Sequence, residues 1–243
     1  MKGVVLAGGL GSRLYPLTKI TNKHLLPIYN KPMIYYPIES LVESGITEIL
    51  IVTGGYHAGE FLRLLGDGKK LGLKHISYTY QEGEFGIAYA LSLAEDFADK
   101  HKIIVFLGDN IINENIKKHV DYFESHDYGA MLLLTQVDDP ARFGVIEFDE
   151  NKNIVSIEEK PKIPKSNFID VGITMYDNEV FDIIRTLKPS ARNELEITDA
   201  HNIYLKRGRL TYDFLTGFWT DAGTFDSLLK ANNLISEREK VVK

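Results

Sequence analysis

The feature that most constrains the fold is the order of the first 107 residues, where short apolar runs alternate with amphipathic stretches. Gly3–Ala7, Glu48–Val52, Lys74–Tyr80 and Lys102–Leu107 read as strands. Between them, Met33–Ser44, Ala58–Leu65 and Ile87–Phe97 carry apolar residues at helical spacing. The order β-α-β-α-β-α-β predicts a largely parallel sheet covered by helices on both faces. Ile103–Leu107 is apolar at every position, as a strand buried on both sides requires.

After about Asp127 the texture changes. Gly129–Gln136, Gly144–Phe148, Ile154–Glu159 and Phe168–Tyr176 are strand-like and joined mostly by turn-rich connections, such as the polar turn Asp149-Glu150-Asn151-Lys152-Asn153. Helical patterns return at Asn178–Leu187, Ile197–Lys206 and Phe225–Arg238. With no repeat, low-complexity tract or flexible linker, residues 1–243 read as a single mixed α/β domain. A nucleotide-type half, about 1–127, precedes a more meandering half, about 128–243, that supplies a second substrate site.

A formal net charge of -6 argues against a surface built to neutralise a nucleic-acid backbone. It leaves room for a phosphorylated small molecule, because a few focused cations bind phosphate within an acidic protein. The absence of cysteine excludes disulfides, thiolate metal sites and a Cys nucleophile. The first apolar run, Gly3–Ala7, is too short for a signal peptide or a membrane span, which points to the cytoplasm.

In open α/β sheets, ligands sit beyond the carboxyl ends of the strands. Gly8-Gly9-Leu10-Gly11-Ser12-Arg13 follows the first strand directly. Its glycines let the backbone bend and turn N–H groups toward an anion, and Arg13 adds a planar fork suited to phosphate. A tight strand-to-helix turn with no ligand is the alternative. The Walker ending Gly-Lys-Ser/Thr is missing. The dinucleotide fingerprint fails too, since its third glycine position holds Leu14 and no acidic residue ends the second strand.

Asp109 closes the buried run Val105-Phe106-Leu107-Gly108, and Asp221 lies in Trp219-Thr220-Asp221-Ala222-Gly223. Carboxylates at glycine-flanked strand ends suit Mg²⁺, which takes one or two carboxylates plus phosphate oxygens and water. Each alone could equally be a helix N-cap. The seven histidines are scattered without ligand spacing, which argues against zinc, and His24 beside Lys23 reads as structural. Glu159-Lys160-Pro161 by itself fits a solvated strand end.

LAGGLGSRLYPLT, Asn22-Lys23-His24-Leu25-Leu26-Pro27 and Lys31-Pro32-Met33-Ile34 together resemble the signature of the sugar-1-phosphate nucleotidyltransferases, most closely the short glucose-1-phosphate thymidylyltransferases. The resemblance runs from Lys2 to about Asn233. It implies a Rossmann-like three-layer α/β/α nucleotidyltransferase fold with a mixed, mostly parallel sheet and a smaller β-rich sugar-binding portion. It also implies transfer from dTTP to glucose 1-phosphate, giving dTDP-glucose and pyrophosphate, in a homo-oligomer. Arg13, Lys23 and Asp109 would be catalytic, and Asp109 with Asp221 would hold Mg²⁺. Leu6, Gly8, Gly9, Gly11, Ser12, Arg13, Lys23, Gln81 and Gly86 would bind the nucleotide. Gly144, Glu159, Lys160, Val171 and Arg192 would bind the sugar phosphate. Ser12 stands where many members have Thr, and Asn193 where many have Gly. Glu84, Phe85 and Tyr89 depart from the usual Pro-Asp and Gln of the base-reading segment, so uridylyl or cytidylyl transfer is the alternative within the class. A non-catalytic nucleotide-sugar sensor is the alternative outside it. The chain stops short of the C-terminal helical extension of longer members, and a regulatory site housed there is expected to be missing or altered.

Overall fold

The computed structural model describes residues 1–241. The chain folds into two compact units, each assembled from separated segments. One is built from Gly3–Glu84, Phe106–Ile116 and the segment beginning at Gly217; the other from Phe85–Val105 and Lys117–Thr216, together with Met1–Lys2. The change of texture near Asp127 falls inside the second of these.

The first unit carries the parallel strands expected from its opening pattern. Lys2–Ala7 pairs with Glu48–Gly54, Val4 opposite Leu50, and Glu48–Gly54 pairs in turn with His75–Gln81, Leu50 opposite Ser77. Helices Tyr35–Glu43 and Ala58–Leu65 make the crossovers that parallel pairing demands. Val4, Val5, Ile49, Ile51 and Val52 are fully buried, so these strands are apolar on both faces. Tyr35–Glu43 starts two residues later than its apolar spacing suggests. The N–H groups of Met33 and Ile34 donate instead to Leu26 O at 2.9 Å and His24 O at 2.8 Å, which ties them to the preceding turn.

Two short strands complete this unit. Asn110–Ile112 pairs antiparallel with Trp219–Asp221, placing Asp221 opposite Asn110. Helix Phe225–Val241 then packs Ala231 and Ile235 against Leu14, Ile28, Met33, Ile111 and Ala222. Asn232 Oδ1 also accepts the N–H of Tyr29 at 2.7 Å.

In the second unit, Phe168–Tyr176 pairs antiparallel with Ala130–Gln136 and, through Ile169 opposite Val145, with Gly144–Phe148. Gly144–Phe148 pairs with Ile154–Glu159, setting Glu159 opposite Gly144. Leu210–Phe214 is a further strand, parallel to Ala130–Gln136. Its alternation was legible: Leu210, Tyr212 and Phe214 pack on Leu132, Leu134 and Ile146. Helix Ile197–Lys206 forms as its spacing predicts. The stretch Ile87–Phe97 divides into Ile87–Ser92 and Glu95–Ala98, because Ala94 N–H bonds Leu91 O at 2.9 Å and tightens the turn between them. Among the described residues, no helix is long and apolar enough to cross a membrane.

Candidate active site

In the first unit the glycine loop leaves strand Lys2–Ala7 and enters a 3-10 turn, Ser12–Leu14, anchored by fully buried Leu14. Gly11 has φ +66°, and a methyl group on it would come within 2.9 Å of Lys23 Cβ and of Thr18 Cγ2. The position therefore admits little besides glycine. Thr18 Oγ1 donates to Gly11 O at 3.0 Å and holds the loop closed from behind. A side chain on Gly8 would collide with Gln81 Oε1. Gln81 is buried beneath the loop, and its Nε2 donates to Gly83 O at 3.1 Å. The Leu10 N–H in this loop donates to Glu84 Oε1 at 2.9 Å.

Arg13, Asp109 and Asp221, 208 residues apart at their extremes by their numbers in the chain, converge on one point. A methyl group on Gly223 would lie 3.0 Å from Arg13 Nη2, 3.1 Å from Asp221 Oδ2 and 3.5 Å from Asp109 Oδ2. The pairing of Asp221 with Asn110, and the Ala222 N–H donated to Asp109 O at 2.9 Å, produce that convergence. Lys23 Nζ donates to Asp109 Oδ2 at 2.5 Å. Burial disfavours the Asp109 carboxylate, but the Lys23 charge, the His24 ring and the Lys23 hydrogen bond outweigh it and hold the group at about 2. Asp109 is therefore ionised at neutral pH, as a cation ligand must be.

Lys23 owes its position to the residues beside it. Asn22 caps the 3-10 turn Lys23–Leu25: its Oδ1 accepts from His24 N at 2.9 Å, and its Nδ2 donates to Ala7 O at 3.3 Å. His24 is 2% exposed, with Nδ1 at 2.7 Å from Asn22 Oδ1. Burial, then the Lys23 charge, lower its pKa to about 3, so it stays neutral and serves as a brace for the turn.

Among the described residues no group of three or more His, Cys, Asp or Glu is arranged around a common centre. Two carboxylates remain, Asp109 and Asp221. A pair of hard oxygen donors fits Mg²⁺, which draws its other ligands from substrate phosphate and water.

The second unit holds the other set of candidate residues. Strand Ile154–Glu159 delivers Glu159, and Lys160 turns the chain with φ +45°, an uncommon conformation for a residue with a Cβ. Glu159 Oε2 accepts from Thr198 Oγ1 at 2.6 Å. Its Oε1 lies 3.3 Å from Lys160 Nζ and 3.5 Å from Arg192 Nη2. Glu196 grips Arg192 with both oxygens, accepting from Nε at 3.2 Å and Nη2 at 2.8 Å, and also accepts from Ser190 Oγ at 2.6 Å. Asn193 next to it takes φ +59°, the left-handed conformation that Asn tolerates better than most residues. Thus Glu159, Lys160 and Arg192 do share one cluster, one carboxylate among two cations.

Gly144 borders this cluster: a methyl group on it would lie 3.5 Å from Thr198 Oγ1 and 3.6 Å from Glu159 Oε2. The Val171 side chain is 2% exposed and belongs to the core, so only its backbone can face a ligand. Gly86, grouped by resemblance with the nucleotide residues, packs on the Arg192 loop, where a methyl group would come within 2.5 Å of Leu195 O. Thr198, Glu196 and Ser190 escaped the sequence reading because their roles come from reaching Glu159 and Arg192 across the fold. Asp170 escaped it too, although an Asp in the apolar run Phe168–Ile173 was a visible signal: its Oδ2 lies 3.6 Å from His201 Nδ1, and no Lys or Arg among the described residues pairs with it.

A family model described as nucleotidyl transferase matches residues 2–238. A glucose-1-phosphate thymidylyltransferase of Neisseria meningitidis is 43% identical over 99% of this chain and 84% of its own length. One from Mycolicibacterium smegmatis is 44% identical over 97% of this chain and 82% of its own length. Among solved structures, a Bacillus anthracis protein described as a glucose-1-phosphate thymidylyltransferase, determined with sucrose, superposes with TM-score 0.92 at 52% identity, covering 96% of this chain and 94% of that one. A UDP-glucose pyrophosphorylase bound to UDP-glucose shares the fold, with TM-score 0.87 at 24% identity over 98% of each chain.

Proposed function

The chain belongs to the nucleotidyl transferase family, and on that premise we propose that it transfers the thymidylyl group of dTTP to glucose 1-phosphate, releasing pyrophosphate. The observation that carries the reading is the convergence of Arg13, Asp109 and Asp221 around Gly223, at the end of a glycine loop. A phosphate oxygen of the sugar phosphate attacks the α-phosphorus of dTTP. As that P–O bond forms, the bond to the β-phosphate's bridging oxygen breaks, and pyrophosphate leaves with the electron pair. The nucleophile is already an anion, so the residues need supply neither a general base nor a covalent intermediate. Their work is positioning and charge neutralisation.

Arg13 and Lys23 would balance the charge of the triphosphate, with Asn22 fixing the turn that presents Lys23. Asp109 and Asp221 would hold Mg²⁺, which supplies electrostatic stabilisation of the transferred phosphoryl group when bound. Lys160 and Arg192 would take the phosphate of the acceptor, and Glu159 a hydroxyl of its ring. A cytoplasmic setting and a homo-oligomeric state complete the proposal, and light scattering of the purified chain tests the second.

The deciding experiment measures pyrophosphate release with dTTP, UTP, CTP and GTP against a panel of sugar 1-phosphates. Release greatest with dTTP and glucose 1-phosphate is expected. Preference for UTP or CTP would replace the base assignment, and no release with any pair would leave a sugar-nucleotide sensor as the better reading.

A further inference from the structure

In the first unit, the residues that end strand His75–Gln81 and follow it fold back onto the glycine loop and touch it twice. Gln81 lies beneath Gly8, where its Oε1 takes the space that a side chain on that glycine would need. Its Nε2 donates to Gly83 O at 3.1 Å, and Gly83 turns the chain with φ +69°, a conformation that glycine adopts without strain. The turn returns the next residue, Glu84, to the loop, where its Oε1 accepts the Leu10 N–H at 2.9 Å. Gln81 and Glu84 thus grip the loop two residues apart, at Gly8 and Leu10.

Backbone N–H groups in such loops are sites for oxygen anions, and here the anion is the chain's own carboxylate. No Lys or Arg among the described residues pairs with Glu84. The Lys23 ammonium, which the loop passes, is engaged by Asp109 instead. Glu84 also stands where the family's usual residue is Pro, which has no carboxylate to offer. The Glu84–Leu10 bond is exposed, so its net worth is that of a hydrogen bond exchanged with water, enough to shift an equilibrium by a factor of about two to ten. A triphosphate arrives with several oxygens and is met by Arg13 and Lys23. It therefore outcompetes a single carboxylate, and a phosphate oxygen cannot share the Leu10 N–H with Glu84 without bringing two anions together.

We propose that Glu84 is an autoinhibitory latch on the donor site: in the free chain its carboxylate holds the Leu10 N–H in place of a phosphate oxygen, and dTTP must displace it to bind. The inference rests on the donor reading given above. The dissociation constant of dTTP, without sugar phosphate, is measured by titration calorimetry for the wild type, Glu84→Gln and Glu84→Ala. Removing the latch raises the fraction of chains competent to bind, so Glu84→Ala should bind dTTP about threefold to tenfold more tightly than the wild type. Glu84→Gln keeps an oxygen acceptor without the charge and should fall between the two. A second reading comes from the Leu10 amide proton in nuclear magnetic resonance spectra. It should move upfield in ligand-free Glu84→Ala, and the difference from the wild type should vanish once both are saturated with dTTP. Unchanged or weaker binding by Glu84→Ala, or a Leu10 difference that persists at saturation, would overturn the proposal and make Glu84 a fixed prop of the loop. Failure of the wild type and both variants to bind dTTP at all would instead remove the donor reading, and this inference with it.

Discussion

Arg13 shares with both metal-type carboxylates the space beside Gly223, and its planar fork can address two phosphate oxygens at once. Arg13→Ala should lower kcat about a hundredfold or more, as loss of one preorganised donor does elsewhere. Arg13→Lys should recover only part of that, since a point charge cannot reproduce the fork. Near-normal turnover of the alanine variant would remove Arg13 from the mechanism. Asp170 makes a prediction that needs no substrate. Burial raises its folded-state pKa to about 7, above the value of an unfolded Asp, so the folded chain binds the extra proton between the two. That contribution to stability is full below about pH 4 and is lost as pH rises through about 7. Burial keeps His201 neutral across this window, so it does not mask the effect. The melting temperature of Asp170→Asn, measured from pH 4 to 8, should therefore rise relative to wild type as pH increases. A constant difference would show that Asp170 titrates normally.

At the scale of elements, the 3-10 turn Lys23–Leu25 matters more than its length suggests. Asn22 caps it and ties it to Ala7, the last residue of the strand that feeds the glycine loop. Asn22→Ala should cost about 1 kcal/mol, the usual worth of such a cap, and should lower kcat as well by freeing Lys23 to move. Thermal unfolding and turnover are measured together; a loss of stability with kcat unchanged would mean that Lys23 needs no such support. The strands and long helices of the first half were legible because burial on both faces leaves a continuous apolar run and burial on one stripe leaves a period. Their ends were less so: Met33 and Ile34 fit the helical pattern but spend their N–H groups on the turn before it. Asn110–Ile112 and Trp219–Asp221 are three residues each, too short for a period to show, and exist because each pairs with the other.

For the whole molecule, the proposed chemistry depends on a cation as much as on the fold. Chelation with EDTA should stop pyrophosphate release, and added Mg²⁺ should restore it, with the far-ultraviolet circular dichroism unchanged throughout. Asp221→Asn should raise the Mg²⁺ concentration for half-maximal rate by about tenfold or more, the scale on which metal sites respond to a lost supporting group. Full activity in EDTA would reassign both aspartates to structure. The sequence by itself determined the parallel strands, the glycine loop and the family, because periodicity, glycine chemistry and motif spacing are local properties. Only the tertiary structure decided that residues 13, 109 and 221 meet at one point, since that follows from a three-residue strand pair and a backbone bond to Asp109. It alone revealed Asn22 behind Lys23, Glu196 behind Arg192, and Asp170 without a cation. Each depends on a partner distant in the chain or on what burial leaves unpaired, and neither has a signature in the order of residues.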